Sequence, residues 1–341
     1  MLNHRSLVNL LWRSALILTT SGLALVIGNS AFAQIQSDNT LGTENSIVND
    51  IDALNKRIDG GVKLDANLFH SFQEFNVSEG GSVYFANPQG ITDIFSRVTG
   101  NNPSNIFGKL GVLGDANLFL INPNGIVFGE NASLDVGGSF VASTANGIEF
   151  GEQGVFSTSN PEIPRLLNVS ASALFFSQVA AQPGNIVNRG NLAVGKNFTV
   201  VADNLDLQGQ LLAGGDLKLQ ATDTVKVRDS IKNPFVAAAK GQFLLQGNQN
   251  VDIFALSHPD SGLFSGADMV LRSANQVGGD AKYWSGGNFQ IEQLDGSLGN
   301  LFSPYDPVIK SLGAALSTRT KELYSLLGAI YSLCAIRKPI I

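Results

Sequence analysis

The side chains of this sequence that could do chemistry are few and scattered. His4, His70 and His258 are the three histidines, and no two have the spacing of paired metal ligands on one element. Cys334 is the single cysteine, so no disulfide can close within the chain. Asp203, Asp206, Asp216 and Asp223 come closest to a catalytic set. Carboxylates gathered on one outer face, alone or with Arg or Lys, could cleave a polysaccharide by general acid–base chemistry. The same four positions read as corners and turn starts, where Asp satisfies backbone amides. Trp284, in KYWSGG, is either a platform for a sugar ring or an edge-packing residue. No phosphate-binding loop, Gly-x-Ser-x-Gly or His-Glu-x-x-His string occurs, and the Gly-Gly pairs do not spell a calcium-binding repeat. The expectation is a protein with no catalytic residues, no metal and no cofactor; a β-helical polysaccharide-cleaving enzyme is the alternative. A net charge of −6 without a basic block argues against nucleic acid as a partner.

The elements that would carry these residues are short strands. A unit made of Gly, a variable residue, usually Asn or Asp, then two apolar residues around a variable one recurs as GKNFTV, GGDLKL, KGQFLL, GADMVL and GGNFQI. Its first apolar residues are Phe198, Leu217, Phe243, Met269 and Phe289, spaced by 19, 26, 26 and 20. Between them lie the apolar pairs Leu192/Val194, Leu205/Leu207, Val225/Val227 and Val251/Ile253. Period-2 strands of about four residues, repeated at this interval, cannot bury their apolar faces alone but can do so when stacked. The predicted fold is all-β: a right-handed, single-stranded parallel β-helix of roughly ten coils about 4.8 Å apart, closed by an N-terminal cap. The cap is expected within residues 41–80. Ile47, Val48, Ile51 and Leu54 have helix-like spacing there, cut short by Asp59-Gly60-Gly61. Residues 101–111 and 151–184 lose the rhythm and are expected to leave the coil as loop or hairpin insertions.

A second repeat is more specific. VYFANPQGI (83–91) and LFLINPNGI (118–126) share Asn-Pro and Gly-Ile 35 residues apart. A degenerate third copy puts Phe140 and Ala142 on Leu118 and Leu120, and Asn146-Gly147-Ile148 on Asn124-Gly125-Ile126. Pro fixes φ, Asn bonds nearby backbone and Gly takes a left-handed turn, so Asn122-Pro123-Asn124-Gly125 reads as a solenoid corner. Asn87 and Asn122 are expected to form a side-chain ladder between stacked copies. Whether the corner also recognises a partner is left open by the residue types.

The ends differ from the middle. His4, Arg5 and Arg13, the apolar run from Ala15 to Ile27 and Ala31-Phe32-Ala33 have the layout of a secretory signal peptide cleaved before Gln34. After Ile309 the strand rhythm is expected to stop. Leu323, Leu326, Leu327 and Ile330 there have helical spacing, consistent with a truncated or frame-shifted passenger, a helical cap or a membrane anchor.

Residues 70–144 resemble the two-partner secretion domain of filamentous-haemagglutinin-type exoproteins (the haemagglutination activity domain). The resemblance rests on the His-Ser-Phe…Phe-Asn-Val entry, Arg97-Val98-Thr99-Gly100, and Asn122 to Ile126 followed by Phe128-Gly129. Asn122, Pro123, Asn124, Gly125 and Ile126 match the family's NPNGI motif. Asn87 and Pro88 open a second motif, in which Gln89-Gly90 stand where many relatives have Asn-Leu. The resemblance implies a signal peptide at 1–33, a secretion domain at 38–155, a continuing β-helical passenger at 156–309 and an atypical tail at 310–341. It further implies passage through the Sec translocon, cleavage by signal peptidase, and recognition in the periplasm by the POTRA domains of an outer-membrane barrel. The chain would then fold outside, secreted or held at the cell surface. An adhesin-like passenger would meet a host or neighbouring cell surface or carbohydrate. Stepwise burial of Leu, Phe, Val and Ile would drive the chain outward, at about 1.5–3 kcal/mol per large side chain before entropy.

Overall fold

Strands of two to nine residues, bounded by Gly, Asn or Asp, wind into a coil with three flat faces. The computed structural model describes residues 35–164, 167, 171, 173–175, 184–305 and 307–317. The signal-peptide segment, Pro183, Cys334 and the helix-spaced residues after Leu323 lie outside the described residues. Face I carries ten parallel strands, from Asn67–Phe75 through Asn117–Ile121 and Phe198–Ala202 to Ala315–Leu316. Face II runs from Ser104–Ile106 through Ile126–Phe128 and Ile186–Asn188 to Leu301–Phe302. Face III begins with Asn55–Gly60, Ser82–Ala86, Lys109–Leu113 and Ser133–Asp135. It resumes at Asn191–Val194 and continues to Val308–Ser311, the two runs being joined by a parallel Val136–Val194 bridge. Between the ends of each run the strands pair in parallel with the coil before and the coil after, which is a parallel β-helix.

The inward residues stack as the glycine-punctuated repeat requires. Phe198, Leu217, Phe243, Met269 and Phe289 are register partners in succession, and all are buried. The ladder extends back through Phe140, Leu118 and Ile94 to Leu68. The Asn and Asp of the same repeat brace the corner entering face I. Asn197 Oδ1 accepts the Asp216 N–H (2.9 Å), Asp216 Oδ1 the Gln242 N–H (2.8 Å) and Asp268 Oδ1 the Asn288 N–H (2.7 Å). Each corner carboxylate or amide thus satisfies a donor one coil on, where a turn would otherwise leave it unpaired.

The first coil is closed by antiparallel strands. Ile35–Ser37 and Val62–Leu64 pair with Asn67–Phe75, and Ser46–Asp50 pairs with Asn55–Gly60. Antiparallel pairing saturates the open edge and needs no further coil. The helix-like spacing of Ile47, Val48, Ile51 and Leu54 is therefore carried by a strand and its turn. Residues 101–111 are not an insertion: Ser104–Ile106 and Lys109–Leu113 are ordinary rungs of faces II and III. The genuine excursion follows Asn146. Gly147–Glu149 pairs antiparallel with Val155–Ser157 and Ala173–Phe175, and the coil resumes at Ile186, which occupies the rung next to Ile126. Ile148 of the degenerate third repeat thus lies outside the coil.

The excursion has a physical cause. Phe69, Phe95 and Phe119 point outward from face I in three successive coils, and Ile148, Phe150 and Phe156 cover them. Phe69 stacks on Phe95 at 5.2 Å and meets Phe156 edge-on at 4.9 Å. At the far end, Val308–Ser311 and Ala315–Leu316 stay in register with Lys282–Ser285 and Phe289–Glu292, so the strand rhythm runs past Ile309.

Inward and outward positions should respond oppositely. Leu245 is buried between Leu219 and Leu271, whereas its neighbour Leu244 faces outward. Leu245→Ala should cost about 2–5 kcal/mol in urea unfolding, and Leu244→Lys less than about 1 kcal/mol.

Candidate functional site

Asn122 closes face I and turns the chain onto face II. Its side chain is fully buried. Nδ2 donates to Asn102 O (3.0 Å) and Ser104 Oγ (3.0 Å) of the preceding coil, and Oδ1 accepts the Asn124 N–H (3.0 Å). The Gly125 N–H returns to Asn122 O at 3.1 Å, closing the turn. Gly125 holds φ at 118°, and a Cβ there would lie 2.9 Å from Asn185 O. Ile126 then enters the core. Only Asn124 of the motif is exposed, with Pro123 half-buried, and Asn124 Nδ2 donates to Gly100 O at 2.7 Å.

Asn87 occupies a different corner. Its strand, Ser82–Ala86, belongs to face III and pairs with Lys109–Leu113, while Asn117–Ile121 belongs to face I. Asn87 and Asn122 therefore share no ladder. With its amide oriented to satisfy both ends, Asn87 donates to Ile91 O (3.1 Å) and accepts from Ala116 N (3.2 Å). Pro88, Gln89 and Gly90 are exposed, and Lys63 Nζ donates to Gln89 O at 3.0 Å. The spacing of 35 is one coil plus one face.

Arg97 opens the Arg97-Val98-Thr99-Gly100 string, and no spacing or local motif in the sequence marks it as a functional residue. Arg97 is completely buried. Its Nε donates to Ser71 Oγ (2.9 Å), Nη2 to Thr40 Oγ1 (2.8 Å) and Glu162 O (3.2 Å), and Nη1 to Ser157 O (2.9 Å). The guanidinium also lies 4.2 Å over the Phe156 ring. Beside it, Asp38 accepts from Ser71 Oγ (2.6 Å), Thr99 Oγ1 (2.5 Å) and Thr40 N (2.9 Å). Burial pulls the Arg97 pKa down to about 10, and the charge of Asp38 opposes that shift. Burial pushes the Asp38 carboxyl up, but the bonds from Ser71, Thr99 and Thr40 outweigh it and hold the pKa below the usual value. One buried cation thus ties together the cap, two coils and the excursion. Gly100 ends the string because a Cβ there would come within 2.0 Å of Gln73 O.

His70 is packed, stacked on Phe72 and tilted against Phe85, with Nδ1 3.1 Å from Ser46 Oγ. Burial drives its pKa down to about 3, Asp59 opposing weakly. Among the described residues no three His, Cys, Asp or Glu side chains gather as metal ligands. The four aspartates do not converge. Asp216 braces the corner entering face I. Asp203 and Asp223 lie at the corner between faces I and II, accepting from Thr222 Oγ1 (2.7 Å) and Thr224 Oγ1 (3.2 Å). Asp206 is in mid-strand rather than at a corner and pairs with Arg189 at 2.7 Å. Trp284 is likewise in mid-strand on face III, 40% exposed.

These polar groups serve the architecture of a capped parallel β-helix, whose first coils and flanking excursion are locked as a unit. Residues 33–291 match the family model described as the TPS secretion domain, so the chain belongs to the two-partner secretion (TPS) domain family. Members of that family cross the outer membrane and are secreted or displayed at the surface. A heme/hemopexin-binding protein of Haemophilus influenzae is 33% identical over 72 residues, which is 21% of this chain and 8% of that protein. The chain therefore matches only a small part of that relative's length. The crystal structure of the HMW1 secretion domain from Haemophilus influenzae aligns at a TM-score of 0.42 and 16% identity, covering 83% of this chain and 100% of that one.

Two measurements check the site. Asn122→Ala should cost about 1–3 kcal/mol, because it strips bonds from the buried Ser104 hydroxyl and from two part-buried backbone groups of the turn, and Asn124→Ala clearly less. The depressed pKa of His70 means the unfolded chain takes up a proton below pH 6.5 that the folded chain refuses down to about 3. Stability should then fall by about 1.4 kcal/mol per pH unit between pH 6 and 4, and the slope should flatten in His70→Gln. The lowered pKa of Asp38 adds a loss in the same direction, confined to pH below 3.8.

Proposed function

We propose that the capped start of this β-helix is an export signal, read in the periplasm by the POTRA domains of a partner outer-membrane barrel. The observation that carries this reading is the family match over residues 33–291. Delivery would begin at the Sec translocon, with residues 1–33 removed by signal peptidase. The secretion domain at 38–155 would lead and the passenger at 156–309 would follow, with the tail after Ile309 left without a role. We assign the chain no catalytic activity: Asp203 and Asp223 stack at one corner, Asp216 lies at another and Asp206 in mid-strand, and each is engaged in local bonds. Neither heme nor hemopexin is carried over from a relative of which 8% is matched.

The geometry divides the two Asn-Pro motifs into framework and contact. Asn122, Gly125 and Ile126 are buried and shape the corner, and Asn87 bonds its own turn. Pro88, Pro123 and Asn124 remain partly or fully accessible, with Gln89 and Gly90 beside them, and offer the surface a POTRA domain would touch. The completed clamp around Arg97 would then hold the emerged coils outside, each further coil burying its ladder residues on the last.

Coexpression with the partner barrel and assay of the culture medium tests this. Asn124→Lys combined with Gln89→Lys should reduce export about tenfold while leaving urea stability within about 1 kcal/mol. Leu118→Asp with Leu120→Asp should stall export by removing the folding drive. Undiminished export of the first variant would refute recognition through the exposed turns, and undiminished export of the second would refute the folding drive.

A further inference from the structure

A groove on face II, far along the chain from the export motifs, has the chemistry of a saccharide site. Two outward rows border it. One runs Lys226, Asp252, Gly278, Phe302 from coil to coil, and the other Arg228, Phe254, Asp280. Gly278 is the gap in the first row: where neighbouring coils project a side chain, this coil projects none. The result is a trough of about 340 Å³, at the lower end of the range for small-molecule sites.

Its walls are aromatic on one side and charged on the other. Phe302 is 51% and Tyr305 61% exposed, high values for side chains of that size in a folded protein. Tyr305 is held in place. Asp280 Oδ1 accepts its backbone N–H at 3.0 Å and also bonds Ser303 Oγ, while the ring meets Phe254 edge-on at 5.6 Å. Opposite, Arg228 Nη2 grips Asp252 Oδ2 at 2.5 Å, and Nη1 is tied to Val227 O (2.7 Å) and Asp252 O (2.9 Å). The Asp252 side chain is still half-exposed. A fixed guanidinium–carboxylate pair presents donors and acceptors side by side, as vicinal hydroxyls require. Fixed aromatic faces present apolar surface, as the C–H faces of a pyranose require.

We propose that this groove binds a neutral saccharide, the sugar ring lying on Tyr305 and Phe302 over the Gly278 floor with its hydroxyls on Arg228 and Asp252. Charge selects against acidic glycans: among the described residues that line the trough the one cation, Arg228, is already paired, and Asp252 and Asp280 add negative charge, while Lys226 lies one coil further along its row, outside the lining. The site does not depend on the export reading. It would give the exported coil a sugar-directed contact on later coils, away from both Asn-Pro turns.

The test titrates the purified full chain with neutral hexasaccharides of glucose, mannose, galactose and xylose, and with heparin hexasaccharide, by isothermal calorimetry at two salt concentrations. Binding of at least one neutral sugar is expected, insensitive to salt and with heparin inert. Tyr305→Ala should weaken it about tenfold or more. Gly278→Gln should abolish it by filling the trough. A Cβ at Gly278 meets only ordinary contacts, 3.4 Å from Val251 O, so that variant should fold normally, as circular dichroism would check. Trp284→Ala, on another face, should change nothing. No binding by any neutral sugar, a preference for heparin, or affinity unmoved by Tyr305→Ala and Gly278→Gln would each overturn the proposal.

Discussion

Backbone hydrogen bonding between successive coils is the constraint from which this structure follows. Beyond the first coil, a strand within a face finds its partners one coil away, not beside itself in sequence. Each coil is therefore unsatisfied until the next arrives, and the first needs a cover of another kind. The antiparallel strands at 35–37, 46–50 and 62–64 supply that cover. The inward ladder from Leu68 to Phe289 and the corner bonds of Asn197, Asp216 and Asp268 have the same one-coil spacing, because they ride on the same pairing.

The N-terminal end is held more elaborately than the rest. Along the later coils, apolar ladders and corner amides suffice. In the first coils a buried guanidinium, a carboxylate held below its usual pKa and a layer of outward phenylalanines bind the cap and excursion to face I. Burying Arg97 is costly unless every donor finds an acceptor, so the arrangement forms completely or not at all. Such all-or-none assembly would suit the proposed export route, on which the chain commits to its fold only beyond the outer membrane. The same demand explains why the Arg-Val-Thr-Gly string ends in Gly100, whose close approach to Gln73 lets the Thr99 and Asn124 bonds form together.

Where the sequence repeats with a constant offset between apolar residues, the fold was legible. The five units beginning near Gly195 gave the register of face I residue by residue, because inward position and strand period coincide there. The Asn-Pro repeat misled for a physical reason. Nine similar residues encode a local turn, and a turn can serve any corner; only strand pairing places Asn87 after face III and Asn122 after face I. Residues 101–111 are polar because two short rungs and their corners occupy them, which composition alone makes indistinguishable from a loop. Of the candidate site, the corner at Asn122-Pro123-Asn124-Gly125 was legible in the residue types, whereas the burial of Asn122 was not, and the clamp around Arg97 joins residues 38 to 162 with no local pattern to announce it.

Stacking itself can be measured directly. Val141 and Gln290 occupy one outward row of face I, linked through Thr199, Lys218, Leu244 and Val270. Spin labels at these two positions, with Cys334 replaced by Ser, should give a narrow pulsed dipolar distance near five coil rises of about 4.8 Å, that is about 24 Å plus the label tethers. A broad distribution, or a maximum well beyond that length, would contradict a single continuous coil.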